Sequence, residues 1–142
     1  MLKMIFLSLP YSHQYKEITD YRIKMASIYA GHLMRHGLIP VSPIIFGNKV
    51  LEHVNLPSDF NTWNKLCYAY LDNCKEIHVL CINGWKQSKG VTSEIAYALK
   101  KKIDIKYIDI SMPQDGLYWF SENLIEMKRE KFNKRLKEWK NI

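Results

Sequence analysis

Residues 76–100 read EIHVLCINGWKQSKGVTSEIAYALK, and the fold turns on how that stretch divides. Glu76–Ile82 (EIHVLCI) is a continuous apolar run of strand length. Asn83-Gly84-Trp85 turns the chain, and Ser88 to Lys102 has helical spacing with Ser88 in the N-cap position. A continuous run fits a strand buried on both faces, the environment of a parallel sheet. Working outward, Lys3–Leu9 (KMIFLSL) is a second such run, broken by Pro10-Tyr11-Ser12-His13. Glu17 to His36 has helical spacing and stops at Gly37. Leu38–Ser42 (LIPVS) reads as a strand weakened by Pro40, and Pro43 to Pro57 as a loop. Ser58 or Asp59 caps a helix running to about Asn73, and Asp104–Ile110 (DIKYIDI) is a fourth strand. Pro113 to Gly116 is a turn, and Leu117 to Trp139 reads as a long final helix. Strand and helix in alternation predict an α/β fold: a parallel sheet of four to five strands covered by helices.

Length and composition agree with one domain spanning residues 1–142. At 142 residues, 47% hydrophobic and 25% charged, the chain can bury a core without staples. No apolar run approaches the roughly 18 residues of a membrane span. The opening MLKMIFLSLP lacks a small-residue cleavage site and reads as a strand rather than a signal peptide. Cys67, Cys74 and Cys81 form neither a CxxC pair nor a metal signature. They read as buried thiols in a reducing cytoplasm, and no His, Cys, Asp and Glu grouping has metal-ligand spacing. The net charge of +7 is uneven, because residues 128–142 hold seven basic against two acidic residues, leaving +2 for the rest. A nearly neutral fold with a basic amphipathic terminal helix, 117–142, argues against a nucleic-acid domain and expects no membrane partner.

In a parallel α/β sheet, ligands bind beyond the carboxyl ends of the strands. That edge gathers Ser8–His13, Ser42–Gly47 and Asn83–Gly90. The turn into the helix at Ser88 offers unpaired backbone N–H groups suited to an anion such as phosphate, and Gly90 lets a ligand approach the backbone. Glu94 stands four residues after Gly90 on the same helix face, where its carboxylate looks over the strand ends. The competing reading makes Ser88 only a cap and Glu94 a surface carboxylate favoured by the helix dipole. The pattern is neither GxGxxG nor a P-loop, so a dinucleotide or NTPase site is poorly supported. Trp85 either stacks on a ligand or packs the loop, Asn83 either bonds a ligand or forms the turn, and Phe46 with Gly47 either lines the pocket or packs locally. Ser8 lies on the same edge as a binding residue. Arg22 serves either a phosphate or a solvated helix face.

The order MIFLSLPYSH, a helix with Arg22, GLIPVSPI, LPSDFNTW, a helix ending in Cys74, the apolar strand and NGWKQSKGVTSEIAYA resembles the family DUF1937 over about residues 3 to 108. That family looks like a branch of the nucleoside 2-deoxyribosyltransferase superfamily. The resemblance implies a three-layer α/β/α fold of the flavodoxin or Rossmann-like kind, generally dimeric or larger. It implies an enzyme that cleaves or exchanges the N-glycosidic bond of a nucleoside or nucleoside 5′-monophosphate, without metal or organic cofactor. By motif position, Glu94 would be the nucleophile, Tyr11 would orient it, and Ser88 with Gly90 would take the phosphate. A carboxylate attacking C1′ through an oxocarbenium-like transition state accounts for that chemistry. One position departs: Cys67 stands where relatives carry the aspartate that protonates the base. His13 and Asp59 are other candidates for proton delivery, while Asp72 lies too far round the helix from Cys67 to replace it. Two rival readings stand beside the enzyme: a nucleotide-binding module that uses the same pocket without turnover, and an interaction protein whose basic last helix contacts nucleic acid.

Overall fold

The computed structural model describes residues 3–57, 59–111 and 118–122. In chain order the elements are β1 (Met4–Ser8), α1 (Lys16–Arg35), β2 (Ile39–Val41), α2 (Pro43–Leu51), α3 (Phe60–Leu71), β3 (Glu76–Leu80), α4 (Lys89–Lys101), β4 (Asp104–Ser111) and β5 (Trp119–Glu122). The five strands form one sheet in the order β2-β1-β3-β4-β5. The first four run parallel, with Ile5 opposite Glu76 and Ile77 opposite Ile105. β5 runs antiparallel to β4, pairing Phe120 with Ile110. The fold is therefore α/β with a mixed sheet, not the wholly parallel sheet expected from the sequence.

Both faces of the sheet are covered. Ile5 and Leu7 of β1 meet Met25, Ala26, Tyr29 and Leu33 of α1 on one face. Phe6 of β1, with Ile77 and Val79 of β3, meets Leu71 of α3 and Val91, Ile95 and Ala98 of α4 on the other. The period-two alternation of a strand sends successive side chains to opposite faces, so a strand covered twice must be apolar throughout. β3 obeys this with two exceptions, Glu76 and His78, both buried. His78 Nδ1 lies 2.6 Å from the Tyr29 hydroxyl and its Nε2 lies 2.7 Å from Glu76 Oε2. Lys3 and Lys106 neutralise the same carboxylate. Burial pushes Glu76 upward, but the Lys3 and His78 hydrogen bonds outweigh it and hold the carboxyl below its ordinary value. Satisfied in this way, the polar network costs little and fixes the register of β3 against β1 and α1.

Helix boundaries follow their caps. α1 ends in a left-handed Gly37 (φ +75°), with Gly37 N–H donating to Met34 O and Leu38 N–H to Leu33 O, both at 3.0 Å. Asp59 accepts from Thr62 N–H at 3.0 Å and opens α3, and Ser88 accepts from Val91 N–H at 3.2 Å and opens α4.

Two expectations are corrected. The segment 43–57 is not all loop, because α2 occupies Pro43–Leu51. Ser42 accepts from Ile45 N–H at 3.3 Å and Pro43 stands at N1, where its missing donor costs nothing. The final helix expected from Leu117 is, at Trp119–Glu122, the edge strand β5. The outer edge of β4 needs a partner for its backbone groups, and Phe120 gains an edge contact with Tyr29 at 4.9 Å between ring centroids. The turn at 113–116 and the rest of the expected final helix, with the basic segment at 128–142, lie outside the described residues, which end at 122. No helix among the described residues is long and apolar enough to cross a membrane.

Leu71 is fully buried where α3 meets the sheet, whereas Leu99 is 52% exposed on α4. Leu71→Ala is expected to lower unfolding stability by about 2–5 kcal/mol in chemical denaturation. Leu99→Ala is expected to stay within about 0.5 kcal/mol.

Candidate active site

β1 and β3 are neighbours, but the chain leaves them toward opposite faces, to α1 and to α4. A crevice opens where two such connections diverge. Here it becomes a cavity of about 730 Å³. Four pieces of chain line it: the segment after β1, the turn after β3 with the start of α4, one face of α2 and one face of α3. The α2 face is Ile44, Gly47, Asn48 and Leu51, at helical positions i, i+3, i+4 and i+7. The α3 face is Phe60, Trp63 and Cys67.

Arg22 joins the two loops. It is buried on α1, and its Nη1 donates to the carbonyl of Ser12 at 2.9 Å and of Tyr11 at 3.4 Å. Its Nη2 donates to the carbonyl of Asn83 at 3.2 Å. Burial lowers the guanidinium pKa from its ordinary value, yet no carboxylate among the described residues pairs with it. Arg22 is therefore neither a solvated residue nor a freely reaching phosphate arm. It fastens the cavity's two loops while adding positive charge to the wall. Gly84 (φ +93°) makes room for it: a Cβ there would stand 2.6 Å from Nη2.

Glu94 lines the cavity and is 7% exposed. The Ser8 hydroxyl at the end of β1 donates to its Oε1 at 2.8 Å, and the Cys67 thiol is a second hydrogen-bonding neighbour. Burial pushes the Glu94 carboxyl up to about 8, against the lowering effect of both hydrogen bonds. Burial first, and the Glu94 charge second, push the Cys67 thiol far up as well, so it stays protonated. A carboxyl poised near neutral pH in a cleft suits a nucleophile or a proton-transfer group.

The other expected residues fall into place unevenly. Ser88 and Gly90 line the cavity at the start of α4. The Ser88 oxygen accepts from Val91 N–H, so its own hydrogen remains to donate, and a Cβ at Gly90 would meet nothing nearer than Ser88 Oγ at 3.8 Å. Ser8 is fully buried behind Glu94 and holds it, a task different from binding substrate directly. Tyr11 lines the cavity, but its hydroxyl donates to Asn48 Oδ1 at 3.2 Å rather than to Glu94. Asn83 lines the cavity with its carbonyl occupied by Arg22. Trp85 lies outside this cavity and packs on Tyr107 with ring centroids 5.6 Å apart. Phe46 points off the cavity face of α2 and is exposed, while its neighbour Gly47 is on that face. Asp59 is a cap residue and His13 lines the cavity. Sequence reasoning missed Asn48 and Trp63. The signal for them was the Ser42-Pro43 start followed by 44/47/48/51 spacing, which marks a helix and its inward face.

Glu94 takes up a proton on folding between its ordinary 4.5 and about 8. Its contribution to stability is complete below pH 4.5 and is lost as pH rises through about 8. Compared with Glu94→Gln, the wild-type chain is expected to lose on the order of a few kcal/mol between pH 5 and pH 9 in denaturant titrations. Ser8→Ala is expected to move the Glu94 titration further up, read by carboxyl carbon NMR, since it removes a donor to the ionised form.

No curated protein matches the chain. Residues 3–109 match the family described as a domain of unknown function, DUF1937, and with that match covering most of its length the chain belongs to the DUF1937 family.

Proposed function

We propose that this chain binds a nucleoside or nucleoside 5′-monophosphate in the cavity and cleaves or exchanges its N-glycosidic bond. In this reading it is a relative of the nucleoside 2-deoxyribosyltransferases, with β1–β4 as a flavodoxin or Rossmann-like core. The observation that carries the proposal is a buried carboxyl, Glu94, presented to a cavity of small-ligand size beside a helix N-terminus. The N–H groups of Lys89 and Gly90, the Ser88 hydroxyl and the charge of Arg22 suit a 5′-phosphate at that end. The apolar faces of α2 and α3 suit the base at the other.

The chemistry requires Glu94 ionised. Its carboxylate oxygen bonds to C1′ as the C1′–N bond breaks, and the electron pair departs with the base nitrogen. Ser8 and Cys67 hold the carboxylate for in-line attack. Tyr15 N–H donates to His13 Nδ1 at 3.0 Å, which leaves Nε2 as the ring nitrogen free to hydrogen-bond the departing base, and that base takes its proton from solvent water. Water, or a second base, then takes C1′ from Glu94. Second copies of the chain completing the site, and a cytoplasmic setting suited to three free thiols, belong to the same proposal.

A second reading keeps the nucleotide and drops the turnover. It is favoured by Cys67, whose raised thiol is no substitute for a base-protonating carboxylic acid. Incubation with a panel of nucleosides and 5′-monophosphates, with chromatography for free base, separates the two. Glycosidase chemistry is expected to release base from at least one member, with a rate that climbs with pH toward about 8 as Glu94 ionises. Glu94→Ala is expected to abolish release, and Ser88→Ala to raise KM for monophosphates by about tenfold while leaving nucleosides unchanged. Thermal stabilisation by a nucleotide with no base released by any member would establish the binding module instead.

A further inference from the structure

The α2–α3 wall of the cavity is built with more detail than an apolar lining needs. Trp63 donates its indole N–H to the carbonyl of Pro57 at 3.1 Å. The opposite edge of the ring lies against bare backbone at Gly47, where a Cβ would stand 2.8 Å from Cζ3 and 2.9 Å from Cη2. Fixed at both ends, the indole lines the cavity with its polar atom already spent outside it. One residue along α2, Asn48 also lines the cavity. Its Oδ1 accepts the Tyr11 hydroxyl, which orients the carboxamide and leaves its NH₂ group without an acceptor among the described residues. The wall therefore offers a rigid aromatic face and, beside it, a hydrogen-bond donor.

Resting on the nucleotide reading above, we propose that Trp63 and Asn48 form the base-selecting subsite, and that it prefers a heterocycle bearing an exocyclic carbonyl over one bearing an amino group there. A flat ring stacks on the indole. A carbonyl then accepts from the Asn48 amide, whereas an amino group would set donor against donor and leave both desolvated. Tyr11 acts here by orienting Asn48. Gly47 acts by admitting the indole.

The test uses the full chain carrying Glu94→Gln, which prevents turnover and keeps both hydrogen-bonding partners of residue 94. Calorimetric Kd values are measured for uridine against cytidine 5′-monophosphate, for inosine against adenosine 5′-monophosphate, and for ribose 5-phosphate. The oxo member of a pair is expected to bind about tenfold tighter. Adding Asn48→Asp, which keeps an acceptor for Tyr11 and replaces the donor with an acceptor, is expected to reverse the preference, and Asn48→Ala to erase it. Trp63→Leu is expected to weaken nucleotides about tenfold or more while leaving ribose 5-phosphate unchanged, and to remove ligand quenching of indole fluorescence. A preference that survives both Asn48 variants, or equal weakening of nucleotide and ribose 5-phosphate by Trp63→Leu, would overturn the subsite while the nucleotide reading stands. Failure of every nucleotide and of ribose 5-phosphate to bind would overturn both together.

Discussion

A buried guanidinium holds the site open in one shape. Arg22 reaches from α1 to the carbonyls of Tyr11, Ser12 and Asn83, so the loop leaving β1 and the turn leaving β3 are fastened to the same side chain. A charged donor to a carbonyl is worth about 1.5–3 kcal/mol. Neutral donors would hold the loops more weakly. A carboxylate partner would hold Arg22 but cancel its charge. Carbonyl partners hold Arg22 and leave its positive charge uncancelled in the cavity wall. The loop geometry and the electrostatics of the cavity therefore have a common source, and Gly84 is the backbone concession that admits it.

Glu94 sits under a second constraint, set by the sheet. Ser8 is the last residue of β1 and Glu94 lies in the second turn of α4, and they meet because α4 packs across the face of the sheet that holds β1 and β3. Burial there opposes ionisation, and the donors Ser8 and Cys67 only partly relieve it. The result is a carboxyl balanced between its two forms near neutral pH. A fully solvated glutamate would be ionised but satisfied by water and a poorer nucleophile, and a buried glutamate without donors would stay neutral. The intermediate state, the one the proposed chemistry uses, arises from burial opposed by one hydroxyl and one thiol rather than from a neighbouring charge.

Much of this was legible in the sequence, for reasons particular to each residue. Glu76–Ile82 reads as a doubly buried strand because its apolar run is continuous, and Ser88 reads as a cap because a short hydroxyl precedes helical spacing. Both signals are local, and both stand. Glu94 is visible for the same reason, being four residues from Gly90 on one helix face. What was hidden depends on distant partners. Ser8 looks like a loop hydroxyl until β1 is set beside α4. Tyr11 points to Asn48 only because α2 exists, and α2 was obscured by Gly47 and by prolines on either side of the segment. Trp119–Glu122 falls within a stretch, Leu117 to Trp139, whose spacing reads as helical, and the free edge of β4 that makes it a strand is a property of the sheet, not of the segment.

The cavity thus has two ends of different origin. The end at Ser88, Gly90 and Arg22 is made of a helix cap, the backbone at the start of α4 and a tether from α1 to the loops that leave β1 and β3. The end at Gly47, Asn48, Trp63 and Cys67 belongs to α2 and α3, which bury fewer residues than α4: Pro43 and Gly47 in α2 and Leu71 in α3, against six in α4. Under the proposed function, substitutions at Asn48 and Trp63 change what the cavity recognises and leave in place the Ser8 bond to Glu94. In that reading Glu94 stands beside a wall that can be altered, an arrangement that keeps one chemistry while the substrate changes. Cys67 is where the two ends meet, since it belongs to the α3 wall by position and to Glu94 by hydrogen bond. Under the proposed function, a change at residue 67 alters selectivity and reactivity together, because the side chain touches the α3 wall and Glu94 at once.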